Sequence, residues 1–423
     1  MNGWSYNMDF GLIGKNINYS YSQEIHQFFG QDSYQMINIE QEALPNFFKE
    51  RNFKGINVTI PYKQIVIPYL DLLDETATKT GVVNTIVNEN GVLKGYNTDY
   101  LALMRLLEQE EIDLSGKKCL ILGSGATSKT VFTALRERDA FIIAVASRTP
   151  QQDMVSYQSL YHQTYDIIIN TTPVGTYPQY DVAPVDLEKF PSLEFVIDYT
   201  YNPLRTKLIR TAVKRKIKSI NGLELLVSQA YFARQLFDHQ DYDEGMIENI
   251  IRKVYQNKLN IVLIGMPYCG KTTIAHQLAI KLNRPMMDTD ILIEQKTGES
   301  ITDLFNIKQE YGFRALEKQV IAELASTGSI IATGGGSILD ADNMAKLCSE
   351  GLVFYLQKDK KTINIVGNNR PLIKNIDEWE QLANAREHLY VQYADVIINK
   401  QLTIAETVQE ICDQYWKYIK RGK

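Results

Sequence analysis

The sequence predicts an α/β protein assembled from βαβ units, and three observations carry that expectation. Short apolar, β-rich runs alternate with helix-period segments along most of the chain, the pattern of strands joined by crossover helices. Two glycine-rich turns each follow an apolar strand and open a helix, around Gly123 and again around Gly265. At 423 residues the chain is too long for one ordinary core, and roughly three domains are expected.

Composition narrows the class. Hydrophobic residues make up 44% and charged residues 22% of the chain, the proportions of a globular rather than a disordered protein. A formal charge of −5 gives no overall basic field, so nucleic acid is not expected as a partner. Cys119, Cys269, Cys348 and Cys412 are sparse, form no C-x-x-C pair and belong to no zinc-ligand spacing, as expected in a reducing compartment. The start of the chain, MNGWSYNMDF, lacks a basic region followed by an apolar one, so no signal peptide is expected. No apolar run approaches the roughly 20 residues that span a bilayer. A cytoplasmic protein without a membrane partner is expected.

In chain order, a first domain over residues 1–99 carries strand candidates at Asp9–Ile13, Tyr34–Ile39, Gly55–Thr59 and Thr85–Val87. A second, over 100–221, carries Lys117–Leu122, Phe141–Ala146, Asp166–Asn170 and Phe195–Asp198, compact apolar runs bounded by turn residues. Two helices follow, near Gly222–Phe237 and Asp243–Tyr255, and are expected to return to the first domain; in the latter Ile247, Ile250, Ile251 and Val254 share one face. A third domain begins at 258 and runs to 423. No Gly/Ser- or Pro-rich spacer separates it from what precedes, so the join is close rather than tethered.

Gly265-Met-Pro-Tyr-Cys-Gly270-Lys271-Thr272 matches G-x-x-x-x-G-K-[ST] between an apolar strand and a helix bearing Ile274, Leu278 and Leu282 on one face. That setting is what the motif requires. Loop amides from Gly265 to Gly270 and the start of the helix at Thr273 can wrap nucleotide phosphates. Lys271 can reach the outer phosphate oxygens, and Thr272 can ligate Mg²⁺. Downstream come Asp288-Thr-Asp290, Phe313-Arg314-Ala-Leu-Glu317, Gly334-Gly335-Gly336 after the strand Ile330–Thr333, Arg370-Pro-Leu, and Arg386 with Tyr390 four residues on. In this order and spacing the block from Lys258 to Lys423 resembles shikimate kinase. The resemblance implies ATP as phosphoryl donor and Asp288 holding Mg²⁺ through water. It also implies Asp290 orienting and deprotonating the acceptor hydroxyl, Arg314 and Arg386 gripping the substrate carboxylate, and Glu317 positioning Arg314. Gly335 and Gly336 would let backbone approach the substrate ring, and Arg370 would meet the nucleotide from a lid. One departure is visible: a second lid arginine usually precedes R-P-L, whereas here Lys360 and Lys361 are the nearest cations.

Lys118-Cys-Leu-Ile-Leu122 leads into Gly123-Ser-Gly125-Ala126-Thr-Ser128 and a helix, a G-x-G-x-x-[S] turn of dinucleotide-binding type. The next strand ends in Ser147-Arg148-Thr149, where an NAD site would place an acidic residue on the ribose. An arginine there favours a 2′-phosphate, hence NADP(H). Around this loop stand Ser20-Tyr-Ser22, Asn57-Val-Thr59-Ile-Pro61-Tyr-Lys63, Val83-Asn84-Thr85, Asn97-Thr-Asp99, Asn170-Thr-Thr172-Pro-Val-Gly175, Asp198-Tyr-Thr-Tyr201-Asn-Pro203 and Asn221-Gly222 with Gln229. The series resembles shikimate dehydrogenase over residues 9–256. Its fold would be a substrate-binding α/β domain plus a Rossmann-like NADP domain, followed by a P-loop kinase domain with a parallel sheet. Lys63 would donate the proton that ketone reduction needs, held by Asp99. Ser20 and Ser22 would take the carboxylate, and Thr59, Asn84, Tyr201 and Gln229 the ring hydroxyls. Gly123, Gly125, Ala126, Ser147, Arg148, Thr149 and Gly222 would take the cofactor. Here Ala126 replaces a glycine of the usual loop, Ser147 an asparagine, and Lys15-Asn-Ile-Asn-Tyr19 a stretch that usually carries Pro and His.

The two resemblances name successive steps. One family reduces 3-dehydroshikimate, and the other phosphorylates the shikimate so formed. A bifunctional enzyme of aromatic amino-acid biosynthesis is the expectation. A quinate-type dehydrogenase fused to a small-polyol kinase, or one half acting as a regulatory module, remain the alternatives.

Overall fold

The structure, a computed structural model, describes residues 8–151, 153–359, 361, 363, 373, 375–399 and 402–421. Lys360 and Arg370 lie outside the described residues. The chain divides into two units at Ile251/Arg252. Two sheets belong to the first unit and one to the second.

The first sheet contains β1 (Phe10–Gly14), β2 (Gln35–Asn38), β3 (Gly55–Val58), β4 (Leu72–Leu73), β5 (Thr85–Glu89) and β6 (Val92–Tyr96) in the order β2-β1-β3-β5-β6-β4. β1 runs parallel to β2 and β3, whereas β5 is antiparallel to β3 and β6. The β5–β6 hairpin turns on Asn90-Gly91, with φ of 54° and 91°. That geometry suits Asn-Gly and the twist of the flanking strands. One face of the sheet packs Ile13, Ile37, Ile56, Val58 and Ile86 against Leu44, Phe47 and Phe48. The other packs Leu12, Tyr34 and Val87 against Ala233 and Phe237 of the helix Gly222–Asp238. Gly55 belongs to that contact, because the Phe237 ring fills the space a side chain would need.

The second sheet contains β7 (Lys118–Leu122), β8 (Ile142–Ser147), β9 (Met154–Ser156), β10 (Ile167–Asn170), β11 (Phe195–Asp198) and β12 (Lys218–Ile220), ordered β12-β11-β10-β7-β8-β9 with every pair parallel. The chain steps from β7 to β8 on one side and returns to β10 on the other. A crevice therefore opens at the carboxyl ends of β7 and its neighbours, the place where doubly wound sheets bind ligands.

The third sheet contains β13 (Asn260–Ile264), β14 (Met286–Asp288), β15 (Ile330–Ala332), β16 (Gly351–Leu356) and β17 (Val396–Ile398), ordered β14-β15-β13-β16-β17 and wholly parallel. β13 and β16 are buried along their whole length, as sheets covered on both faces require. All four cysteines are free and buried. No helix among the described residues is long and apolar enough to cross a membrane.

The helix Ile301–Glu323 breaks at Gln309, whose φ of 57° and ψ of −178° are non-helical. Only glycine adopts that region without strain, which costs other residues about 1–3 kcal/mol. Gln309→Gly is therefore expected to stabilise the second unit by about 1 kcal/mol once the added chain entropy of glycine is subtracted. The measurement is a rise in the urea midpoint of that unit's unfolding transition, and an unchanged or lowered midpoint would show the backbone there to be unstrained.

Candidate functional site

In the first unit β3 runs into a turn containing the cis Ile60–Pro61 peptide, and this turn delivers Lys63. The Lys63 carbonyl accepts from Val83 N at 2.8 Å, which ties the turn to the segment before β5. Asp99 is the second residue of the helix Thr98–Gln109. Asn97 caps that helix by accepting from Tyr100 N at 3.1 Å, and its amide donates to Thr80 Oγ1 and Thr130 Oγ1. Asn84 Oδ1 accepts from Thr98 N at 2.7 Å. So held, Lys63 Nζ meets Asp99 Oδ2 at 2.5 Å, with side-chain exposures of 12% and 14%. Enough solvent is excluded for the pair to interact strongly, while one face stays open to a ligand.

A cleft surrounds this pair, and Ser20, Ser22, Thr59, Asn84, Tyr201 and Gln229 all line it. The two serine hydroxyls are 2.9 Å apart, and Tyr201 donates to Ser20 Oγ at 3.2 Å. Burial pushes the Tyr201 phenol above its ordinary range, against the Ser20 hydrogen bond, so it remains a neutral donor. Gln229 Oε1 accepts from Asn84 Nδ2 at 3.5 Å, and its amide nitrogen is anchored on Leu226 O at 2.9 Å. Gly222, expected on the cofactor, lines this cleft, and a side chain there would collide with the Tyr199 carbonyl.

A second cleft adjoins the first. Gly123, Gly125, Ala126, Ser147, Arg148 and Thr149 line it, and Lys63, Thr127, Thr171, Thr172 and Pro173 belong to both. Gly123 has φ +105°, and a side chain there would press on Thr171 and Thr172. Beside Gly125, at the start of the helix Ala126–Glu137, a side chain would meet nothing within 4 Å. That open cradle at a helix N-terminus fits a pyrophosphate. Ser147 Oγ lies 3.1 Å from Ser124 Oγ and accepts from Thr149 N at 3.2 Å. It thereby sets the turn that leaves Arg148 exposed at the end of β8.

In the second unit β13 leads into the loop 265–270. The helix Lys271–Leu282 starts from Gly270 at φ +90°. Lys271 Nζ turns back onto Gly265 O at 2.8 Å and Met266 O at 3.0 Å. Thr272 and Thr273 are exposed at the helix start. Thr272 Oγ1 donates to Asp288 Oδ2 at 2.7 Å, while Asp288 Oδ1 caps the next helix by accepting from Asp290 N at 3.0 Å. A hydroxyl beside a carboxylate at a phosphate loop is a donor set suited to Mg²⁺, which keeps waters and shares phosphate oxygens. No group of three or more His, Cys, Asp or Glu among the described residues could hold a metal by itself.

Asp290, Arg314, Glu317, Gly334, Gly335, Gly336 and Arg386 line a smaller pocket, closed by Ile301, Phe305 and Phe313. Arg314 donates to Glu317 at 2.8 Å and to Glu310 at 3.1 Å. Burial works to lower its pKa, but the two carboxylates outweigh burial and raise it. Arg386 is buried and donates to Gly335 O at 3.1 Å. Its pKa is lowered, by burial first, with Arg314 pushing the same way and Tyr390 opposing. Two guanidinium groups lining one pocket favour an anion between them. The room left by the glycine triplet is taken up by the site itself. A methyl on Gly334 would lie 2.7 Å from Glu317 Oε1 and 2.8 Å from Asp290 Oδ1, and one on Gly336 would enter the Arg314 guanidinium. Ser337, which no sequence motif marks, donates to Glu317 Oε1 at 2.6 Å.

Comparison with known proteins agrees with both geometries. A family model described as shikimate dehydrogenase substrate binding domain matches residues 12–86, and one described as shikimate kinase matches residues 267–416. A shikimate dehydrogenase (NADP(+)) of Clostridium botulinum is 36% identical over 241 residues, covering 53% of this chain and 93% of that protein. One from Methanosphaera stadtmanae is 34% identical over 277 residues, covering 57% and 96%. Among solved structures, shikimate 5-dehydrogenase of Thermus thermophilus in complex with NADP(H) and shikimate superposes with a TM-score of 0.52 at 30% identity, covering 58% of this chain and 99% of that one. The chain therefore belongs to the shikimate dehydrogenase family over its N-terminal part and carries a shikimate kinase domain in its C-terminal part.

Proposed function

We propose that this chain performs two consecutive reactions, NADPH-dependent reduction of 3-dehydroshikimate to shikimate and ATP/Mg²⁺-dependent phosphorylation of shikimate to shikimate 3-phosphate. The observation that carries the reading is Lys63, which stands on the wall of both clefts of the first unit and is paired with Asp99. A nicotinamide cofactor, when bound, supplies the hydride that the carbonyl carbon accepts. Lys63 delivers the proton to the carbonyl oxygen from the adjoining cleft, and Asp99 holds the ammonium in line. The serine pair with Tyr201 offers hydroxyl donors to the substrate carboxylate, and Thr59, Asn84 and Gln229 meet ring hydroxyls. In the second unit Arg314 and Arg386 clamp the same carboxylate. Asp290 orients the hydroxyl and takes its proton, and Lys271 leaves its two carbonyls to bind phosphate. Thr272 and Asp288 would hold Mg²⁺.

Two assays on the purified chain test this: NADPH oxidation with 3-dehydroshikimate, and ADP release with shikimate. In one pot, shikimate 3-phosphate should be detected by mass; NADPH oxidation without it would leave only the first reaction. Arg148 reads the cofactor's 2′-phosphate. Arg148→Gln is expected to raise KM for NADPH by about tenfold, the scale of one charge-assisted hydrogen-bonding contact, and to leave KM for NADH unchanged. Equal effects on the two cofactors would remove that assignment.

A further inference from the structure

Tyr199 has no role in the chemistry above, yet it stands in the wall of the Lys63 cleft. It follows the last residue of β11, and its carbonyl is locked against Gly222 at the start of the next helix. Its ring packs against the core cluster that includes Tyr100, Leu103 and Leu225. Its hydroxyl is sealed from solvent and has no hydrogen-bond partner among the described residues. A buried hydroxyl without an acceptor is costly, so a native core rarely keeps one idle. Burial raises the Tyr199 pKa well above the ordinary phenol value, and the negative charge of Asp99 adds to that rise. The phenol is thus a neutral donor, and it shares the wall of one cleft with Asp99.

We infer that Tyr199 is a positioning residue for Asp99, supplying a hydrogen bond to its carboxylate when Lys63 has given up its proton. The inference rests on the reaction proposed above and extends it. Proton transfer leaves Lys63 as a neutral amine and Asp99 as an unpaired anion in a site with little solvent. The phenolic hydroxyl compensates that anion, so the deprotonated state of the pair costs less and Lys63 is a stronger acid. The other charged or titratable groups facing the pair are Tyr19 and Tyr201 in the same cleft, and Arg148 and Tyr157 along the adjoining one. None of these carries a buried polar side-chain atom without a partner among the described residues.

The test is Tyr199→Phe, which keeps the ring in its core contact. In the full-length protein with no ligand added, nitrogen NMR of labelled lysine follows the protonation of Lys63, assigned by its loss in Lys63→Met. The expected result is a midpoint about one pH unit higher than in the unchanged protein, the scale of a hydrogen bond to a charged group. In turnover, kcat for reduction falls by about tenfold with little change in KM, and its alkaline limb moves up in pH. A merely structural tyrosine would instead give a higher melting temperature with an unmoved Lys63 midpoint and an unmoved pH profile, and that result would overturn the inference. Absence of reduction by the unchanged protein would refute the proposed reaction, while the NMR midpoint would still decide the role of Tyr199.

Discussion

Lys63→Met is expected to lower reduction of 3-dehydroshikimate by about 10²–10⁴-fold, the range lost when a positioned general acid is removed, and to leave phosphorylation of shikimate intact. The expectation follows from the placement of Lys63 as a proposed proton source rather than a packing element. The side chain is partly exposed, touches Asp99 through its ammonium alone, and lies outside the apolar clusters of the first sheet. Methionine keeps the aliphatic stem and removes only the charge. What remains is Asp99 without its cationic partner, and no ammonium is left to point a proton at the substrate. NADPH oxidation and ADP release, measured on the same preparation, give the comparison. A residual rate within tenfold of the unchanged protein would mean that another group protonates the alkoxide.

Lys271→Ala is expected to have the reciprocal effect. Phosphorylation should fall by about 10²–10³-fold or more, the scale of losing one preorganised charge at a developing anion, while reduction is retained. The ammonium rests on Gly265 O and Met266 O, two carbonyls of the loop it serves. A phosphate entering the loop offers it a stronger acceptor, so the lysine exchanges neutral partners for charged ones at little cost in geometry. Alanine removes that acceptor-seeking charge without altering Gly270 or the helix it starts. Loss of both activities in either variant would contradict the independence of the two sites.

Much of this was legible in the residues, because the signals were local. The long buried strands announced themselves as apolar runs, and β1, β3, β7, β10 and β11 begin and end within about two residues of their expected bounds. β4, β9 and β12 did not, since two or three residues at a sheet edge or end carry no period. β6 was missed although Asn90-Gly91 signals its hairpin, because Lys94 and Gly95 interrupt the apolar alternation. Lys63 and Asp99 could be paired only through motif order, for their 36-residue separation is bridged by Asn84 and Asn97, whose amides act on residues far along the chain. Tyr199 and Ser337 were not legible, because an orphaned hydroxyl and a hydroxyl reaching a helix carboxylate are facts of three-dimensional placement. The glycine triplet was read for its backbone, whereas the missing side chains also make space for Arg314, Glu317 and Asp290.

Glu317 is wholly buried and accepts at both oxygens, from Arg314 at one and Ser337 at the other. The helix and the glycine loop therefore share a single negative charge, and neither can drift without the other. Such sharing makes their genetics epistatic. Combining Ser337→Ala with Glu317→Gln should weaken shikimate affinity no further than Glu317→Gln alone, so a survey of single substitutions would overstate what the set contributes together.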